Sequence, residues 1–144
     1  MQDLEPTSEL PEIHVTDQDV QRLQAVVEEY ASTDLADYAE ALEIELERAH
    51  VHPQHEIPGD VMTMRSRAVF ENLQTGTRRE LELVYPNEAD PSAGKVSILA
   101  PAGLALLGLR AGDTIRWPMA KGRTARLKLA EILFQPEVSG ELHL

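Results

Sequence analysis

Cysteine is absent from the chain, which excludes disulfides, thiolate-bound metals and thiol nucleophiles. Aromatic residues are scarce, with two Phe, one Trp and three Tyr, too few to wall a deep aromatic pocket. No apolar run approaches the roughly 18 residues of a membrane span. The opening "MQDLEPTSEL" has neither the basic nor the apolar region of a secretory signal, so a soluble, cytoplasmic protein without membrane contact is expected. No phosphate-binding glycine loop, hydrolase elbow or dinucleotide fingerprint occurs. No catalytic residue is assigned, and neither enzyme activity nor a cofactor is expected.

Basic residues are nearly missing from the front of the chain. Residues 1–60 hold 16 acids and 2 bases, whereas residues 61–144 hold 9 acids and 11 bases, for a net charge of −12. So acidic a front half repels nucleic acid within the screening length, which argues against direct DNA or RNA binding and favours a partner with a basic rim. The 144 residues suffice for one compact domain or two small ones.

What is present divides into two periods. Residues 1–12 are acidic and carry Pro6 and Pro11, the composition of a flexible tail. Thr16 is suited to cap a helix with Asp17 and Asp19 in its first turn. Val20, Leu23, Val27 and Tyr30 form one apolar stripe; Leu35, Leu42, Leu46 and Ala49 form a second, on a helix ending near His50. The short "ASTDLA" link predicts an antiparallel helical hairpin, a short coiled coil, over residues 13–57.

From Val61 the period becomes two. Met62, Met64, Ala68 and Phe70 alternate with Thr63, Arg65, Arg67 and Val69, and Leu81, Leu83 and Tyr85 alternate with Glu80, Glu82 and Val84, with "NLQTG" turning between the two runs. Val96 and Ile98 begin a third strand, Ile115 and Trp117 a fourth, and Ala125, Leu127 and Leu129 a fifth, with a phase slip at Ala130 that a bulge would absorb. Between the third and fourth, "SILAPAGLALLGLRAGDTIRW" reads as a short helix. Pro101 suits its first turn, Gly103 lies inside it and should tolerate alanine, and Gly108 should end it at positive φ. The fold class is α+β, with residues 58–144 forming an antiparallel sheet with one short packed helix.

The run Pro101, Gly103, Ala105, Leu106, Leu107, Gly108, Gly112 and Asp113 resembles the C-terminal FKBP-like domain of the Gre transcript-cleavage factors of bacterial RNA polymerase. "ALEIELERA" at 41–49, "PGDVMTMRSRAVFENL" at 58–73, "LVYP" at 83–86 and "FQPE" at 134–137 resemble the short-hairpin Rnk branch of that family, the regulators of nucleoside diphosphate kinase. The resemblance covers residues 13–144. It implies a protein that docks on RNA polymerase at the mouth of the secondary channel through its C-terminal domain and points its hairpin inward. The docking position corresponds to Ser97, Ile98, Leu99, Ala100, Pro101 and Gly103, and the sequence around Ala100 and Pro101 predicts an exposed loop. The resemblance also admits nucleoside diphosphate kinase as a direct partner.

In Gre factors, acids at the hairpin tip help hold a catalytic Mg²⁺, which takes carboxylate oxygens. Here "TDLADYAE" supplies Asp34 and Asp37, but the family's Asn is absent and Asp stands for Glu. An aspartate here also serves as a helix cap, the reading we favour. A helix from 17 to 31 is only about 22 Å long, too short for a tip that must reach the polymerase active site. The expectation is therefore a non-catalytic channel occupant that competes with Gre-type factors.

Two other clusters have ordinary readings. His50, His52 and His55 match no familiar metal spacing, and a histidine near a helix end offsets the dipole, so no metal is assigned. Arg65, Arg67, Arg78, Arg79, Arg123, Arg126 and Lys128 alternate with apolar residues, the pattern of a solvated sheet face. Prolyl isomerase activity needs aromatic walls, and Phe70, Phe134 and Trp117 are all expected in the core.

Overall fold

A computed structural model describes residues 12–118 and 120–141; the acidic stretch before Glu12 lies outside them. The chain opens with a short strand, β1 (His14–Thr16), and passes directly into α1 (Asp17–Tyr30). Thr16 caps this helix as expected: its Oγ1 accepts a hydrogen bond from the Asp19 N–H at 2.9 Å. The turn at 31–35 is held by Thr33, whose hydroxyl donates to the Tyr30 carbonyl and accepts from the Leu35 N–H. It leads into α2 (Ala36–Arg48). Leu23, Val26, Leu42 and Leu46 are buried between the helices and the sheet, while Val20, Val27, Tyr30, Leu35 and Ala49 pack at the margin. Burial of each such large side chain is worth about 1.5–3 kcal/mol.

The second helix stops at Arg48, short of the expected His50, and β2 (His50–His52) follows. This strand pairs in parallel with β1, His14 opposite His50 and Thr16 opposite His52, so the two ends of the hairpin are joined at its base. The helical-hairpin expectation for residues 13–57 contained no such ladder, because three-residue strands carry no readable period.

The rest of the chain forms a five-stranded sheet, in order β5 (Lys95–Ser97), β4 (Arg78–Val84), β3 (Arg67–Asn72), β7 (Thr124–Phe134) and β6 (Thr114–Pro118). Every pair is antiparallel except β4 and β5, which run parallel. The all-antiparallel expectation is corrected at this edge: the 85–94 connection carries the chain back through two short 3₁₀ turns before it pairs, as a parallel pair requires. Met62 and Met64 are buried but precede β3. Arg65, at φ 66°, and the Thr63–Ser66 turn bend the chain before the ladder starts. The bulge near Ala130 is present: Val69 faces Glu131 and Phe70 faces Leu129, leaving Ala130 unopposed.

The helix α3 (Pro101–Leu106) packs on the sheet, and a short α4 (Pro136–Ser139) follows β7. Phe70, Leu81, Leu83, Leu106 and Leu129 fill the core together with the hairpin residues. Phe134 does not join them. It lies half-buried beneath the Arg67 guanidinium, 5.8 Å from the ring centre, because the second register shift in β7 turns it to the outer face. On that face Arg67 pairs with Glu80 and Arg78 with Glu71, the solvated charge lattice expected there. Arg65 and Arg79 depart from it: Arg65 sits at the hairpin junction and Arg79 lies over Trp117 at 5.8 Å. Among the described residues no helix is long and apolar enough to cross a membrane.

Candidate partner-binding site

The segment 97–103 is a tightly bonded corner. β5 ends at Ser97, whose Oγ accepts from the Leu99 N–H at 3.0 Å, while the Ser97 carbonyl accepts from the Ala100 N–H at 3.1 Å. The Ile98 N–H donates to Val84 O and the Leu104 N–H to Ala100 O, which ties the corner to β4 on one side and starts α3 on the other. Pro101 occupies the first turn of α3, where a missing N–H costs nothing. The uniform exposure expected for this loop is corrected. Pro101 is exposed and Ser97 and Ala100 half-buried, but Ile98, Leu99 and Gly103 are buried. Of these six residues only Ser97, Ala100 and Pro101 present surface to solvent; the other three are packed beneath them.

Gly103 is also corrected. A Cβ there would overlap the Ser97 carbonyl oxygen and lie 3.0 Å from Ile98 Cα, so the helix sits directly on the loop backbone and alanine does not fit. Gly108 is as expected, two residues beyond α3 at φ +77°. Its carbonyl accepts from the His14 N–H at 3.0 Å, linking this connection to the base of the hairpin.

At the other end of the molecule the hairpin tip places Asp34 and Asp37 in solvent. The capping role is not observed. Leu35 occupies the N-cap position of α2 without a side-chain hydrogen bond, and Asp37 lies in the first turn, where its charge favours the dipole. The α1 helix has 14 residues, about 21 Å. Exposed carboxylates run along both helices, from Glu28 and Glu29 to Glu40, Glu43 and Glu47.

The junction between hairpin and sheet is polar. Asp19 is 3% exposed and its Oδ2 accepts from the Met64 N–H at 3.1 Å. Burial pushes its carboxyl up to about 7, against the pull of that hydrogen bond. Nearby, Thr63 donates to Glu137 at 2.8 Å and exchanges a hydrogen bond with Ser66. Arg65 forms a fork with Glu88 and covers the Tyr85 ring at 5.1 Å, and its hydrogen bonds hold the Glu88 carboxyl below the usual range. Arg65, Tyr85 and Glu88 line one side of a shallow cleft of about 270 Å³, which Val26, Glu29 and Tyr30 of α1 also line. The role of Asp19 was not legible in the sequence, where it reads only as a first-turn acid.

The histidines regroup. His14 Nδ1 lies 3.0 Å from His52 Nε2, and the His14 ring stacks on that of His50 at 5.2 Å. Burial, reinforced by His52 and His50, lowers the His14 pKa. His55 stands apart on a 3₁₀ turn, with its side chain 77% exposed, 3.5 Å from Glu56.

With this arrangement in view, comparison with known proteins is specific. The family model for the C-terminal part of the transcription elongation factors GreA and GreB matches residues 57–134, and the Rnk N-terminus model matches residues 11–51. The regulator of nucleoside diphosphate kinase of Escherichia coli K12 is 41% identical over 133 residues, 91% of this chain and 96% of the relative. A transcription elongation factor GreA from Desulfovibrio desulfuricans is 34% identical over 67 residues, 46% of this chain and 41% of that protein. Among solved structures, a prokaryotic GreA/GreB elongation factor from Nitrosomonas europaea superposes with a TM-score of 0.72 at 39% identity, covering 86% of this chain and 99% of that one. Sequence, domain order and fold agree, and the chain belongs to the GreA/GreB transcription elongation factor family, in its short-hairpin Rnk branch.

Proposed function

We propose that this elongation-factor-like regulator binds bacterial RNA polymerase at the secondary channel, occupies it without catalysing transcript cleavage, and competes there with Gre-type factors. The observation that carries the reading is the hairpin itself: an acidic rod about 21 Å long, ending in solvent at Asp34 and Asp37 and joined at its base to the sheet domain by β1 and β2. Carboxylates along such a rod suit a basic channel, and a rod that stops short supplies no metal ligands at the active site. The corner at Ser97, Ala100 and Pro101 serves as the docking contact, and residues 13–57 and 58–144 act as probe and anchor respectively.

The test is a backtracked elongation complex. Added alone, the protein is expected to cause no RNA cleavage; added with a Gre factor, it slows the cleavage that factor stimulates. Changing Ser97 and Pro101 to Glu should weaken this competition. Cleavage by the protein alone, abolished by Asp34→Ala with Asp37→Ala, would overturn the reading.

A second reading rests on the name of the 41% identical relative, a regulator of nucleoside diphosphate kinase. In that reading the acidic hairpin docks directly on the kinase. A change in turnover of the purified kinase on mixing, with no transcription machinery present, favours it over the polymerase reading.

A further inference from the structure

We propose that His14 and His52 form a two-imidazole site for a divalent transition-metal ion of the zinc, nickel and copper class, at the base of the helical hairpin. This goes beyond the polymerase reading and does not depend on it.

The geometry begins with the β1–β2 ladder. Its register sets His14 against His50 and Thr16 against His52, so His14, His50 and His52 share one face. His14 Nδ1 and His52 Nε2 face each other at 3.0 Å. Two such nitrogens can both stand about 2.0–2.1 Å from one ion, the zinc–imidazole distance. In the metal-bound pair each ring carries its proton on its far nitrogen: the hydrogen shared between the near nitrogens moves by tautomerisation to the far nitrogen of the donor ring, and both near lone pairs go to the ion. Imidazole nitrogens select zinc, copper and nickel over magnesium or calcium, which take oxygen.

His50 is a neighbour of the site, not a third ligand. Its ring is stacked on His14 at an interplanar angle of 24°, and its Nε2 is 3.7 Å from the Glu12 carboxylate. Among the described residues no group of three or more histidine, aspartate or glutamate side chains is gathered to hold a metal, so the proposed site has two protein ligands. Water completes the coordination, and Glu12 places a negative charge nearby. Because β1 leads directly into α1 and β2 follows α2, the bound ion ties the incoming and outgoing ends of the hairpin together.

The experiment titrates zinc chloride and nickel chloride into the untagged, chelator-treated full chain by calorimetry. One ion per chain is expected. Loss of an outer-sphere partner alone weakens metal sites by about 10–100-fold, so removal of a direct ligand in His14→Ala or His52→Ala should weaken binding at least as much. His55→Ala should leave it unchanged, and zinc should raise the melting temperature of that variant but not of His52→Ala. A second measurement needs no variant: substoichiometric Ni²⁺ should broaden the imidazole NMR signals of His14 and His52 before that of His55. No saturable binding, binding indifferent to both histidines, or simultaneous broadening of all three signals would overturn the proposal.

Discussion

A methyl group at Gly103 would overlap the Ser97 carbonyl oxygen, and at Gly108 it would lie 2.6 Å from Ile13 Cβ and 2.8 Å from His14 N. Gly103→Ala should therefore cost about 1–3 kcal/mol by overpacking, although helix propensity alone favours alanine. Gly108→Val should cost at least about 1–3 kcal/mol, since its φ of +77° adds backbone strain to the collision. Gly76, at φ +78° with open space around it, is the control: its alanine variant should lose only the left-handed backbone contribution, about 1–2 kcal/mol, with no collision added. Urea melts of the three variants check the order. Asp19 carries a different prediction. Its folded pKa, about 7, lies above the 3.8 of the free side chain, so the folded state binds more protons between those values. The contribution is full below about pH 4 and is lost as pH rises through 7, on the order of 4 kcal/mol at about 1.4 kcal/mol per unit. Asp19→Asn, which keeps an acceptor for the Met64 N–H, should flatten denaturation midpoints across this window and stabilise the protein at pH 8.

The hairpin helices start differently, and that difference is testable. α1 is capped by the buried Thr16 hydroxyl, so Thr16→Ala should cost about 1 kcal/mol or more. α2 has no side-chain cap, so Asp34→Ala with Asp37→Ala should lower the melting temperature far less, the loss being limited to the dipole interaction of Asp37. Thermal melts that rank the two in the opposite order would move the helix start. In β7, the phase slip at Ala130 was readable because eleven residues of alternation frame it. The β1–β2 ladder was not, because its partners are 36 positions apart and three residues long.

Charge is polarised along the molecule. Ten of the 16 acids of the first 60 residues lie between Asp17 and Arg48 on the two helices and their turn, and 11 of the 13 bases follow residue 60. On the proposed polymerase reading, an acidic rod entering a basic channel is steered by screened charge, so association should slow steeply as salt rises past about 0.15 M, where the screening length is about 8 Å. On the same proposal the contacts at Ser97, Ala100 and Pro101 govern dissociation, which should then change less. Interferometry across a salt series separates the two rates; a salt-sensitive dissociation with constant association would place the charge contacts at the docked interface instead.

Local chemistry by itself determined the paired helices, the Thr16 cap, the Asn72–Thr77 turn, the bulge at Ala130 and the left-handed Gly108, each of which depends on neighbours within a few residues. Separated motifs in order were enough to reveal the family. Only the tertiary structure decided which side chains meet across long separations. It seated α3 on Ser97 so that Gly103 admits no side chain, and it buried Asp19 under Met64. It also brought His14 to His52 while leaving His55 outside. Periodicity assigns a residue to a face, but close packing between distant segments sets which atom lies opposite it, and that is where space, charge and ligand geometry are decided.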